Sequence, residues 1–499
     1  MTRSLRENIF KKTLNISLVI FFIFFISAFF YSITHRVFYP FELNWLEGEM
    51  FLNSLRVLEG KTIYQEPSSE FITEIYPPVF YWIGSFFIFI FGKNLCALRF
   101  ISLCSVVLLC YLIHRISIYE KKGIVASLAG ISIFLAFYQV SGTWYDVARV
   151  DMLFLAITSW GLYFLSLHTL HKNIWRLLLG TIILILAFFT KQSGVFYVFA
   201  AFLYLILKDR KKAIFFIGVF LPISILIVYI YNLSTNGWFL VYTFNNPRHI
   251  PISDSFVSDI IKDILPILPI LSFVSWDVLH RVFKRREYPD IWDFSFLISI
   301  LSFIFIRCRT GSYLNDHIPL TYFTSIIFAL KIFNVDKYIL KNKLNLKIIS
   351  KAILVIQMVI LLYNPLKYIP SQRSIDFGKA FIERISEIKG EVFIPYHQFY
   401  AYLAGKKTYL SAGAFWAYRF GNYYYPEEII NKLSKKEFSI IVTDDVEELN
   451  GIFLGKEISE KIIKNYSLKE CLFYCNDVEF NVPAERKFRP LAIYYPKKF

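Results

Sequence analysis

Apolar runs long enough to cross a bilayer recur from residue 14 to residue 363, separated by short loops in which Lys and Arg cluster. A bilayer core offers no water to backbone N–H and C=O groups, so each run must be a helix of roughly twenty residues. The 56% hydrophobic composition exceeds what a soluble core needs, and the chain reads as a polytopic α-helical membrane protein. Its first run, 14–33, follows Arg3, Arg6, Lys11 and Lys12 and lacks a small-residue cleavage site, so it is expected to be a retained span. The formal net charge of +16 sits mostly in clusters between runs, as in KDRKK at 208–212. That is a topology signal, and no nucleic-acid partner follows from it.

Keeping the basic clusters on the cytoplasmic side places the N-terminus inside and a first outer loop over 34–78. Segment 79–91 is too short to cross, and its crossing would put EKKG at 120–123 outside, so it is read as a juxtamembrane or re-entrant helix. Further spans are expected at 95–118, 124–142, 152–167, 175–189, 195–207, 213–231, 264–279, 291–306, 318–333 and 348–363, about eleven in all. Residues 1–363 then form a transmembrane domain. From 364 to 499 no run can span, and helix-like FGKAFIERISEI alternates with strand-like EVFIPY and FSIIVTDD, which predicts a C-terminal extracytoplasmic α/β domain. Of six cysteines, Cys471 and Cys475 are the pair that could form a disulfide, although spacing alone does not establish one.

This topology gathers polar residues on the outer side from four loops: Glu42, Glu47 and Glu49; Asp146, Arg149 and Asp151; Lys191 and Gln192; Arg307, Arg309, Asn315 and His317. Arg248 and His249, in a long loop after residue 231, add acceptor or phosphate contacts. Ionisable groups at membrane ends are costly unless paired or hydrated, so their convergence marks a candidate site. The set suits displacement at a sugar carbon whose leaving group is a phosphate on a lipid. A carboxylate draws off the attacking hydroxyl proton, and cations offset the charge developing on the phosphate.

Each residue also has a plainer reading. Glu47 can cap a helix, and Glu42 and Glu49 read as solvating or structural. Asp146 and Arg149, three apart, can pair locally, and Asp151 begins a span where an acid is favoured anyway. Lys191 can snorkel or, with Gln192, Ser193 and Gly194, form a phosphate-binding turn. Arg307 and Arg309 can anchor at the interface, and a lone His317 is more often a hydrogen-bonded histidine than a ligand. No Walker loop, HExxH or paired CxxC is present, so neither an ATP-driven pump nor a zinc enzyme has support.

NWLEGEMF, VLEGKTIY and EIYPPVFYW, followed in order by WYDVARVDMLFLA, FFTKQSG and GSYLNDHIPL, resemble the GT-C glycosyltransferases over roughly the first two thirds of the chain. The likeness is to bacterial relatives of glycosyltransferase family 39 and the dolichyl-phosphate-mannose protein mannosyltransferases. It implies a GT-C fold and a hexosyl- or pentosyltransferase in a bacterial cytoplasmic membrane, working at its outer face. It also implies a polyprenyl-phosphate sugar donor and a protein, lipid or surface-glycan acceptor among membrane lipids. By position it makes Glu47 the catalytic base, and Asp146 or Asp151 is then expected to serve as a second polar anchor. Relatives often carry an Asp-Glu pair where this chain has Leu46 before Glu47. Asp146 and Asp151 resemble metal-holding positions of oligosaccharyltransferase relatives, while family 39 relatives work without a metal. No metal ligand or cofactor is therefore assigned, and a divalent cation stays open.

A transporter or flippase of a lipid-linked sugar would also hold charges among many spans, but usually at broken helices near the midplane and with internal repeats. Here the charges collect at one face and no repeat is visible. A partner-binding or assembly role for 364–499 is a third reading.

Overall fold

The computed structural model describes residues 3–333, 346–421, 426–444, 453–471, 484 and 489–498. Cys475, one of the two cysteines that could form a disulfide, therefore lies outside the described residues. Nine helices open the chain: α1 (Arg3–Arg36), α2 (Glu47–Leu58), α3 (Val79–Phe91), α4 (Leu95–Tyr119), α5 (Ile124–Ala136), α6 (Val150–His171), α7 (Ile174–Phe188), α8 (Gly194–Lys208) and α9 (Arg210–Ser234). Among the described residues four stretches are long and apolar enough to cross alone, Asn8–Arg36, Leu95–Tyr119, Val150–Leu170 and Arg210–Ser234. Other apolar helices are shorter, and the pair Lys347–Ile360 and Pro365–Glu387 is bent by 52°. The protein is thus a multi-pass helical membrane protein.

Segment boundaries follow local chemistry. Asn94 caps α4 through Ala97 N, Asn173 caps α7 through Trp175 N, and Asp209, the lone acid of KDRKK, caps α9 through Lys211 and Lys212 N. Helix α3 keeps the expected 79–91 bounds; at 13 residues it rises roughly 20 Å, short of a ~30 Å hydrocarbon core. Helix α5 stops at Ala136, six residues before the expected limit of 142. There the chain turns through Gly142 (φ 66°) and Thr143 (φ 58°), which brings buried Tyr138 and Asp146 together instead of releasing the span end to solvent.

The C-terminal region contains a small unit of strands and helices. Strands β1 (Glu391–Phe393), β2 (Phe438–Thr443), β3 (Tyr466–Cys471) and β4 (Ala492–Pro496) make one sheet in the order β1-β2-β4-β3, with β1 and β2 parallel and β4 antiparallel to both neighbours. Val392, Ile440, Val442 and Ile493 are buried at its centre, where Val392 faces Ile440 and Val442 faces Ile493.

This unit docks on the first loop. Leu410 N donates to Ser69 O at 2.8 Å, Ala484 N to Leu43 O at 2.9 Å, and Ser69 Oγ to Glu428 Oε2 at 2.6 Å. Phe51 of α2 meets Phe399 edge to face at 5.1 Å. Between the two, fully buried His397 bonds Glu42 through Nδ1 and Asp444 Oδ2 through Nε2 at 2.9 Å.

Burial alone would lower His397, but Asp444 and Glu42 outweigh it and push the imidazole up to about 10. Burial also raises Glu42, to about 7, against the pull of His397. Both folded values exceed the ordinary 6.5 and 4.5, so both contributions decline as pH rises, for Glu42 between about 4.5 and 7 and for His397 between about 6.5 and 10. Thermal unfolding of the detergent-solubilised protein is expected to drop steadily from pH 6 to pH 10. In His397→Gln the alkaline part of that slope is expected to vanish.

Candidate active site

At the start of α2, Glu47 is fully enclosed and clamps Arg99 of α4. Arg99 Nε reaches Glu47 Oε1 at 2.9 Å and Nη2 reaches Oε2 at 2.6 Å. Leu43 N donates to Oε2 and Ala148 N to Oε1, both at 2.6 Å. The rest of the guanidinium binds backbone oxygens of the first loop, Tyr39 O at 2.5 Å and Phe41 O at 2.6 Å among them. One ion pair thereby ties α2, α4, the first loop and the second loop together. Leu46, one residue earlier, faces a cavity that Glu47 does not reach.

Second-loop residues divide in two directions. Asp146 turns to Arg36 at the end of α1, with Nε to Oδ2 at 2.6 Å and Nη2 to Oδ1 at 3.1 Å, and Tyr138 Oη donates to Oδ1 at 3.1 Å. Asp151, at the start of α6, turns the other way: its Oδ1 accepts from Lys191 Nζ at 2.7 Å and from Asn315 Nδ2 at 3.0 Å. Lys191 also lies 3.5 Å from Asp316 Oδ1. Burial would lower the Lys191 pKa, but Asp151 and Asp316 outweigh it and hold the ammonium charged.

A cavity of about 680 Å³ opens between the membrane helices and the C-terminal unit. Four basic side chains border it, Arg149, Lys191, Arg248 and Arg309, against two acids, Glu74 and Asp316. Phe196, Phe244, Phe305 and Ile306 give it an apolar flank, and Trp45, Trp144, Trp416 and Phe453 an aromatic one. Arg149 donates to Tyr76 Oη at 3.0 Å and lies over the rings of Tyr76 and Trp144 at 5.6 and 5.0 Å. Gly311, at φ 76°, abuts the Trp416 ring so closely that a Cβ there would collide with it. The C-terminal unit therefore supplies part of the wall.

Of the residues expected from sequence, Arg149, Lys191, Gln192, Arg248, Arg309 and Asn315 line this cavity, and Asp151 stands behind Lys191. Gln192 is a brace, donating to Ile75 O at 2.5 Å and Thr243 O at 2.7 Å. Arg307 is taken up by Asp263 at 2.6 Å and Ser312 O at 2.8 Å. His317 is buried against Ser141 Oγ at 3.1 Å, and exposed His249 bonds Asn245 O at 2.8 Å. Glu47, Asp146, Arg307, His249 and His317 do not border the cavity. Sequence reasoning missed Arg36, Arg99, Glu74, Asp316 and Trp416. Two of these are arginines inside or at the end of apolar runs, where a charge is a signal by itself.

The donor set does not fit a divalent cation. Asp146 and Asp151 are engaged by Arg36 and Lys191 respectively, and no group of three His, Cys, Asp or Glu side chains among the described residues could hold a metal ion.

Two comparisons bear on this arrangement. The chain has the fold of ArnT from Cupriavidus metallidurans. The crystal structure bound to undecaprenyl phosphate aligns with a TM-score of 0.58 and 10% identity over 95% of this chain and 97% of that one. The apo crystal structure aligns at 0.60 and 11%, with the same coverage. This is therefore a multi-pass membrane protein with the fold of that crystal structure. Residues 76–233 match the family model described as dolichyl-phosphate-mannose-protein mannosyltransferase, in line with the resemblance read from the sequence motifs. No curated protein sequence matches the chain.

Removing one partner of a buried ion pair strands the other, at a cost of about 3–5 kcal/mol. Arg99→Ala and Glu47→Ala are each expected to lower thermal stability by that order. The double variant should cost less than the sum of the two, as a double-mutant cycle would measure.

Proposed function

We propose that this chain is a glycosyltransferase that moves one sugar from a polyprenyl-phosphate carrier to an acceptor at the outer face of a bacterial cytoplasmic membrane. The observation that carries this reading is the cavity, which combines four cations with an apolar flank at the end of the membrane helices. A phosphate on a lipid presents the matching features, a compact anion attached to a hydrocarbon chain. The ArnT structure of the same fold is described as bound to undecaprenyl phosphate. The reading includes a span count near eleven and an extracytoplasmic C-terminal unit, as the positive-inside pattern suggests.

In this proposal Arg149, Arg248 and Arg309 meet the donor phosphate, and Lys191 is oriented by Asp151, Asp316 and Asn315 at its edge. Charge then builds on the departing phosphate beside fixed cations in a partly dry site, where such interactions are strongest. Glu47 holds the first loop through Arg99, and Asp146 holds the second through Arg36. Both are positioning residues. The Trp and Phe side chains present flat faces to the sugar rings.

Membranes containing the protein, supplied with polyprenyl-phosphate sugars, are expected to show transfer to endogenous acceptors by mass spectrometry. Arg149→Ala and Arg309→Ala are each expected to reduce transfer by about 10²–10³-fold. Wild-type vesicles in which the donor changes sides without any product would overturn the proposal and leave a flippase.

A further inference from the structure

The chain has Leu46 where the resemblance expects an acid, and Leu46 borders the cavity. Another carboxylate nevertheless reaches that space. Glu74, from the loop before Pro77 and Pro78, lines the cavity and is 4% exposed. Glu49, in the first turn of α2 and 5% exposed, lies beside it. Glu49 Oε1 accepts from Ser411 of the C-terminal unit. Glu49 Oε2 and Glu74 Oε1 are both buried, and the described residues offer neither a hydrogen-bond donor. Two ionised carboxylates cannot share such a place, whereas one proton between them satisfies both oxygens. In keeping with this, burial first and Glu74 second raise Glu49 well above the usual carboxylate range, against the pull of nearby Arg149.

We infer that Glu49 and Glu74 form a proton-sharing carboxyl pair in which Glu74 is the catalytic base and Glu49 its positioning partner, standing in for the acid missing at Leu46. This rests on the glycosyltransferase reading. In the ground state Glu49 donates its O–H to the Glu74 carboxylate, leaving the other Glu74 oxygen for the acceptor. As the acceptor oxygen forms its bond to the anomeric carbon, the acceptor proton passes to Glu74. The bond from that carbon to the phosphate oxygen breaks, and its electron pair leaves with the polyprenyl phosphate. The proton on Glu74 is then released to solvent, which restores the pair. Ser411 fixes the far side of Glu49, so the C-terminal unit sets the geometry of the base.

The test is steady-state transfer with purified full-length protein and a polyprenyl-phosphate sugar, alongside binding of undecaprenyl phosphate by thermal shift. Glu74→Gln is expected to lower kcat by about 10²–10⁴-fold while the donor KM stays within threefold. Glu49→Ala is expected to lower kcat by about tenfold and to move the acid limb of the pH–rate profile to higher pH, because a carboxylate that loses a donor takes up a proton more readily. Glu49→Gln, which keeps a donor, should recover most of both effects relative to Glu49→Ala. A Glu74→Gln protein that binds the lipid phosphate and transfers within threefold of wild type would overturn the pair. So would Glu49 variants that alter stability alone and leave the acid limb in place. Failure of the wild-type protein to transfer any sugar would instead defeat the glycosyltransferase reading itself.

Discussion

The buried pair between Glu47 and Arg99 is the constraint on which the outer half of the molecule depends. A guanidinium inside an apolar helix is tolerable only if every donor finds an acceptor, and the first loop is bent so that its carbonyls provide them. The same carboxylate accepts the backbone of the second loop at Ala148. Satisfying one charge therefore fixes two loops at once, and it leaves Leu46 and Glu74, not Glu47, facing the cavity. Arg36 with Asp146 repeats the device at the end of α1.

Much of the membrane architecture was legible because bilayer physics leaves few options. The break at 79–91, the caps at Asn94 and Asp209, and the change to α/β structure after the last apolar run all follow from run length and local hydrogen bonding. The site was legible by region but not by role. Lys191 with Asp151 and Asn315 emerged from loops that topology placed on one side. Glu47 did not emerge as a clamp, because its partner Arg99 lies in a run whose other residues say only "membrane". The distinction between a carboxylate that is paired and one that is exposed to a cavity depends on a contact 52 residues away.

Glu42 and Glu49 show the same limit from the other side. Both looked like solvating acids of a polar loop, and both are buried against the C-terminal unit, at His397 and Ser411. Nothing local to NWLEGEMF signals those partners, which are more than 350 positions away in the chain. Long-range pairing of this kind costs loop-closure entropy, and it is recovered here by packing such as Phe51 on Phe399 and by the backbone bonds to Ser69 and Leu43.

The order of the C-terminal sheet has a temporal consequence. Strand β4 sits between β2 and β3, so among the described residues the strand that comes last in sequence is an interior one. Until it inserts, β2 has one free edge and β3 has no neighbour, and the unit that carries Trp416 to the cavity and Ser411 to Glu49 is unfinished. A chain still leaving the ribosome would hold its membrane helices in place yet lack one wall of its cavity. The far wall of the cavity thus rests on a sheet that closes only with its last described strand.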